Sequence, residues 1–134
     1  MLAETCSRRI DMWFCAHVIM YFKLIDAPQE SFLIHENVHL VEANNADEAD
    51  SIARKIGQSC EDPSKDGHLE LNEQKAAYLF AGIRKIIEVE INPETISAIN
   101  LSGREVTYSV YEVDTFEEVC SLANGDMINV LYRE

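Results

Sequence analysis

The chain has 134 residues, 47% of them apolar and 26% charged, which suits one domain whose core needs no disulfide or metal staple. Acidic residues outnumber basic ones 24 to 11, giving a net charge of -13. This balance argues against nucleic-acid backbones and anionic membranes, both of which are bound through Lys and Arg. It leaves solubility, or a basic protein partner drawn in by long-range attraction, as the reason for the charge.

Residues 1–11 are polar and aperiodic and read as a loose N-terminal tail, with 12–134 as a single domain. Arg8 and Arg9 ahead of an apolar stretch imitate a signal peptide. However, His17 and Lys23 interrupt the stretch, and no small-residue cleavage site follows. The stretch also falls short of the ~20 residues that span a bilayer. Cys6, Cys15, Cys60 and Cys120 form no CxxC and no zinc-finger pair with a histidine. Reduced thiols fit a cytoplasmic protein, and no cofactor is expected.

Residues 12–25, rich in aromatic and β-branched types, read as a long strand. A turn around Pro28 leads to a second strand over 31–43, so the pair forms an antiparallel hairpin. Alternation places Phe14, Ala16, Val18, Met20 and Phe22 on a core face, joined by Phe32, Ile34, Val38 and Leu40. Trp13, Cys15, His17, Ile19 and Tyr21, with Leu33, His35, Asn37, His39 and Val41, make up a mixed second face.

Asn45 then caps a helix, with Glu48 three residues later. Its apolar stripe is Ala49, Ile52, Ala53, Ile56 and Cys60. Residues 68–71 read as a short strand and 74–91 as the longest, with Gly82 marking a bulge or a close backbone approach. In that strand Ala77, Leu79, Ala81 and Ile83 share one face, and Tyr78, Phe80 and Arg84 the other. A polar loop over 92–103 precedes a strand over 104–113. Asp114 and Glu117 start a short helix, and Met127 to Tyr132 form the last strand. The resulting order, ββαβββαβ without a repeated βαβ unit, predicts an α+β fold. It is built on a mainly antiparallel sheet, with one longer and one short helix packed on one face.

The sequence has no dinucleotide fingerprint, Walker loop, zinc-protease motif, nucleophile elbow or EF-hand loop. It does resemble a known family. Trp13-Phe14-x-Ala16-His17, Pro28-Gln29-Glu30-Ser31-Phe32-Leu33, Glu36-Asn37, Glu105-Val106-Thr107-Tyr108-Ser109 and above all Phe80-Ala81-Gly82-Ile83-Arg84-Lys85 are similar to the bacterial "domain of unknown function 4288" family. The resemblance would cover roughly residues 12–133. It implies a small stand-alone bacterial protein and carries no assigned activity.

Two sets of residues stand out as candidate sites. Pairing Ile25 with Ser31 sets His17 opposite His39, on the face that also carries His35, a set of imidazoles that could bind a metal. The plainer account of the three is hydrogen-bonded histidines on a polar sheet face. Arg84, Tyr78 and Phe80, with Trp13 and Tyr21 on the hairpin, have the aromatic and arginine character of interface anchors. The alternative for Arg84 is an internal ion pair. The expectation is therefore an acidic, non-enzymatic protein-interaction module, whose mixed face is covered by a partner or a second copy in a homodimer. The competing expectation is a small enzyme or ligand-binding protein using the histidine face or a pocket near Arg84. Whether the protein is an enzyme is left open.

Overall fold

The computed structural model describes residues 12–91 and 102–133. The expected N-terminal tail and most of the expected polar loop lie outside them. The elements are β1 (Met12–Leu24), β2 (Phe32–Ala43), α1 (Ala46–Ser59), β3 (Glu70–Leu71), β4 (Gln74–Val89), β5 (Glu105–Val113), α2 (Phe116–Ala123) and β6 (Leu131–Arg133). This is the expected ββαβββαβ order. The six strands form one sheet ordered β3-β4-β1-β2-β5-β6, with every pairing antiparallel. The architecture is thus α+β with a mainly antiparallel sheet. No helix among the described residues is long and apolar enough to cross a membrane.

β1 takes the centre because its side chains are apolar on both faces, and only a central strand buries both. Phe14, Ala16, Val18 and Met20 pack under α1, against Ala49 and Ala53. Ile19 and Tyr21 pack under α2, against Val119, Leu122 and Ala123. The two helices therefore cover opposite faces, where the sequence pattern predicts a single covered face. The physical reason is that a strand apolar on both sides needs a cover on each.

The β1–β2 hairpin is also offset by one residue from the predicted pairing. His17 faces Val38, not His39, and Tyr21 faces Ile34. A one-residue slip turns every β2 side chain to the other face. His35, Asn37, His39 and Val41 thus pair with Met20, Val18, Ala16 and Phe14 on the α1 side. Ile34, expected with Phe14, instead joins Ile19 and Tyr21 in the α2 core.

Two bulges reshape β4. His17 pairs with Lys85 and Val18 with Ile83, so Arg84 is left between them. Ile19 pairs with Gly82 and Met20 with Phe80, so Ala81 is left over. Each extra residue breaks the two-residue alternation. As a result Ile83 falls with Tyr78 and Phe80 on the α1 core, while Leu79 and Ala81 go to the α2 core. The expected close approach at Gly82 is present: a Cβ there would lie 3.1 Å from the Cβ of Ala123 and 3.3 Å from its carbonyl oxygen.

The helix starts follow their chemistry. The Glu48 N–H donates to Asn45 Oδ1 at 2.8 Å, and Glu48 Oε1 accepts from the Asn44 N–H at 2.6 Å. α2 begins one residue later than predicted, capped by Thr115 with a reciprocal bond to Glu118. The last strand is shorter than predicted: residues Met127 to Val130 form no strand pairing before β6 begins.

Candidate functional site

Glu36 sits in the middle of β2, only 2% exposed, on the face that α2 covers. A carboxylate in such a place must be paired to be tolerated. Its Oε2 meets His17 Nδ1 at 2.5 Å, Arg84 Nε at 2.9 Å and Arg84 Nη2 at 2.8 Å, and the Tyr111 phenol adjoins the carboxylate. His17 comes from the neighbouring β1. Arg84 comes from β4, one strand further away, and it is the residue left out of register by the bulge. A bulge that re-aims a side chain is how a sheet directs two β4 neighbours away from strict alternation. Arg84 therefore faces Glu36, opposite to the Tyr78 and Phe80 side predicted from parity.

Burial alone would push the Glu36 carboxyl up. The hydrogen bonds from His17 and Arg84, the Arg84 charge and the Tyr111 phenol overcome that and hold it at about 2. Burial raises the Tyr111 phenol, and the adjoining Glu36 carboxylate raises it further. A carboxyl held at about 2 stays ionised near neutrality, far from the pKa that suits a general acid or base.

The other oxygen, Oε1, is buried and accepts no hydrogen bond. Leaving such an atom unmet costs about 1–3 kcal/mol, and more when it is charged. Glu36, Arg84 and Tyr111 line a cleft of about 260 Å³, together with Leu122, Gly125, Asp126, Met127, Ile128 and Val130. The turn after α2 closes onto this cleft tightly. Gly125 has φ +87°, and a Cβ on it would lie 2.9 Å from the Arg84 carbonyl oxygen. Only glycine combines that conformation with that approach. The cleft is smaller than the ~300–1,000 Å³ of typical small-molecule sites. A larger hollow of about 500 Å³ at the end of the sheet is lined by Gln29, Ser31, Glu112 and Arg133 among others. In it Ser31 Oγ donates to Glu112 at 2.5 Å, and Gln29 bonds the backbone of Phe22 and Leu24.

Beside the Glu36 cleft lies an apolar sheet edge. β6 pairs with Val110, Tyr111 and Glu112 alone, so among the described residues Glu105–Ser109 of β5 has a strand neighbour, β2, on one side only. Exposed large apolar side chains occur along β5 and β6 on both faces of the sheet: Val106, Tyr108 (59% exposed) beside His35 on the α1 side, Leu131, and Tyr132 (61%) beside Tyr111 on the α2 side. Tyr132 packs on the cleft residue Tyr111 with ring centroids 6.0 Å apart, so edge and cleft are continuous.

The structure scatters the residues singled out from the sequence. His17 bonds Glu36 on the α2 side. His35 and His39 lie on the α1 side, where His35 Nδ1 is 3.0 Å from the Tyr78 hydroxyl and His39 Nδ1 is 3.0 Å from the Gly103 carbonyl. The three histidines do not meet, and no group of three possible ligands occurs among the described residues. Burial lowers the His35 pKa, partly offset by the nearby Glu105 charge.

Among the proposed anchors, Tyr21 is buried between Phe32 and Phe116, with ring centroids at 6.4 and 5.3 Å. Phe80 packs in the α1 core, and the Tyr78 hydroxyl accepts from Asn37 Nδ2 at 3.1 Å. Trp13 is half-buried, paired with Glu42 and Val89. Ile19 and Tyr21, expected to be covered by a second copy, are covered by α2, so that face gives no ground for a homodimer. Arg84 alone reaches the cleft. Glu36 was missed by the sequence reading. Its signal is a lone acid in the run Phe32-Leu33-Ile34-His35-Glu36-Asn37-Val38, a charge where a strand core should be.

No protein-family model, curated protein or solved structure matches the chain. The resemblance to the domain of unknown function 4288 family rests on the quoted residues alone.

Proposed function

We propose that this protein is a small acidic interaction module that binds a basic protein partner along the β5–β6 edge. The observation that carries this reading is the edge of β5 over Glu105–Ser109, which among the described residues has a strand neighbour on one side only, with Val106, Tyr108, Leu131 and Tyr132 exposed along β5 and β6. Such an edge accepts an extended segment as an added strand, with main-chain bonds for affinity and side chains for selectivity. The net charge of -13 attracts a basic segment and repels a second copy of this chain.

A labelled octapeptide alternating lysine with valine tests the reading, read by fluorescence anisotropy against its glutamate–valine counterpart. The lysine peptide binds, the glutamate peptide does not, and added salt weakens the complex. Tyr132→Ala combined with Tyr108→Ala lowers the affinity by about tenfold, in keeping with loss of aromatic anchors. Equal binding of the two peptides, no binding of either, or indifference to the tyrosine changes refutes the reading.

A further inference from the structure

We infer that His68 is the catch of a pH-sensitive cover over the outer edge of β4: its imidazolium form pins residues 61–69 onto that edge, and its neutral form lets them go. The edge is the side of β4 that faces away from β1. Ala76, Tyr78 and Phe80 direct their N–H groups outward there, and the segment leading from α1 to β3 accepts all three. Ala76 donates to the Leu69 carbonyl at 2.9 Å, Tyr78 to the Asp62 carbonyl at 2.8 Å, and Phe80 to Glu61 Oε2 at 3.0 Å. The Asp62 N–H returns a bond to the Tyr78 carbonyl at 2.8 Å. A strand edge with bare N–H groups is a template for another strand, so this cover decides whether the edge is closed or open.

His68 locks the segment by its geometry. Its Nε2 lies 2.7 Å from Asp62 Oδ2, and its Nδ1 meets Asp66 Oδ1. A neutral imidazole has one N–H and one lone pair, so it donates to one of these carboxylates and turns its lone pair on the other. Only the imidazolium satisfies both. Asp62 also carries the backbone pairing to Tyr78, so a lost bond here loosens the cover at its anchor. Asp62 Oδ1 accepts the Ser64 N–H at 2.9 Å, and the buried Ser64 hydroxyl accepts the Leu69 N–H at 2.9 Å, which draws the two arms of the loop together.

Among the described residues Asp62 and Asp66 are the charged groups that bond the ring. Lys65 of the same loop, Lys75 of β4 and Asp26 of the β1–β2 turn line a hollow with Asp66, and Glu61 and Glu70 flank the loop along the chain. The hydrogen bonds to Asp66 and Asp62 raise the His68 pKa above its ordinary 6.5, and the same bonds hold both aspartates below their ordinary 3.8. The folded-state value of His68 is the raised one. With both aspartates ionised, the hold is therefore complete below 6.5 and fades as pH rises through that higher value. The ring is 52% exposed, and ion pairs in contact with water are weak, so the cover loosens severalfold while the domain stays folded.

Two measurements on the whole chain test this. The first follows the His68 ring signal by NMR titration. Its midpoint lies above 6.5, and Asp66→Asn, which removes one acceptor from the ring, lowers it. The second follows amide hydrogen exchange of Ala76, Tyr78 and Phe80 at stepped pH, each rate divided by its intrinsic rate. Protection of these amides falls about threefold across the His68 midpoint in the wild type. His68→Gln, a change at an exposed position that cannot titrate, shows no such step. A midpoint at or below 6.5, a midpoint unmoved in Asp66→Asn, no step in the wild type, or a step of equal size in His68→Gln overturns the inference.

Discussion

Arg84 of β4 reaches past β1 to Glu36 of β2 and places two donors, Nη2 at 2.8 Å and Nε at 2.9 Å, on a single carboxylate oxygen. A fork-to-fork pair would have used both oxygens. This one concentrates on Oε2 and leaves Oε1 bare. The bulge at Arg84 and the central position of β2 produce that geometry together.

Removing one partner of this pair leaves a buried, poorly compensated charge. Arg84→Met therefore destabilises the domain by about 3–5 kcal/mol, while the double variant Arg84→Met with Glu36→Met recovers much of the loss. Urea unfolding of the wild type, both single variants and the double variant gives the coupling directly. Additive losses in the double variant would show that the pair does not hold β4 to β2.

The same carboxyl makes stability depend on acid pH. Its folded-state pKa, about 2, lies below the ordinary 4.5. The stabilisation is therefore complete above about 4.5 and is lost as pH falls toward about 2. The shift corresponds to at most ~3 kcal/mol. Compared with Glu36→Gln, the wild type should lose this margin between those pH values. Parallel curves for the two proteins, from denaturation at stepped pH, would contradict it.

Gly57 lies within α1, where an alanine ordinarily stabilises by about 1 kcal/mol. Here a Cβ would stand 2.3 Å from the Phe80 ring. The clash outweighs the propensity gain, because displacing a packed ring costs about 1–3 kcal/mol. Gly57→Ala therefore lowers the melting temperature, and the double change Gly57→Ala with Phe80→Leu recovers part of it. A melting temperature above wild type in Gly57→Ala would show that Phe80 moves aside freely.

Val18 is 1% exposed in the α1 core and is paired on both sides, to Asn37 and Ile83. Val18→Asp sets an unpaired charge among Ala16, Met20 and Ala53, a cost comparable with the ~5–15 kcal/mol total stability of a domain. The variant should show no cooperative thermal transition by circular dichroism. A wild-type melting curve would reverse the assignment of faces on β1.

Local chemistry alone placed β1, the Asn45–Glu48 helix start and the core face of Phe14, Ala16, Val18 and Met20. Each depends on residues a few positions apart, and side-chain alternation and capping act over that range. It also marked Gly82 as a close approach and Arg84 as a residue to watch. The pairing of β1 with β2 was beyond its reach, because both registers satisfy the same turn and differ by one residue. That residue sends His35 and His39 away from His17 and turns Glu36 toward Arg84. The bulges at Ala81 and Arg84 were equally hidden, since an extra residue in a ladder shows only against its partner strand. The Glu36 cleft belongs wholly to the tertiary structure. Its carboxylate, guanidinium and phenol come from β2, β4 and β5, 48 positions apart for Glu36 and Arg84, and only packing of the sheet under α2 brings their charges within hydrogen-bonding distance.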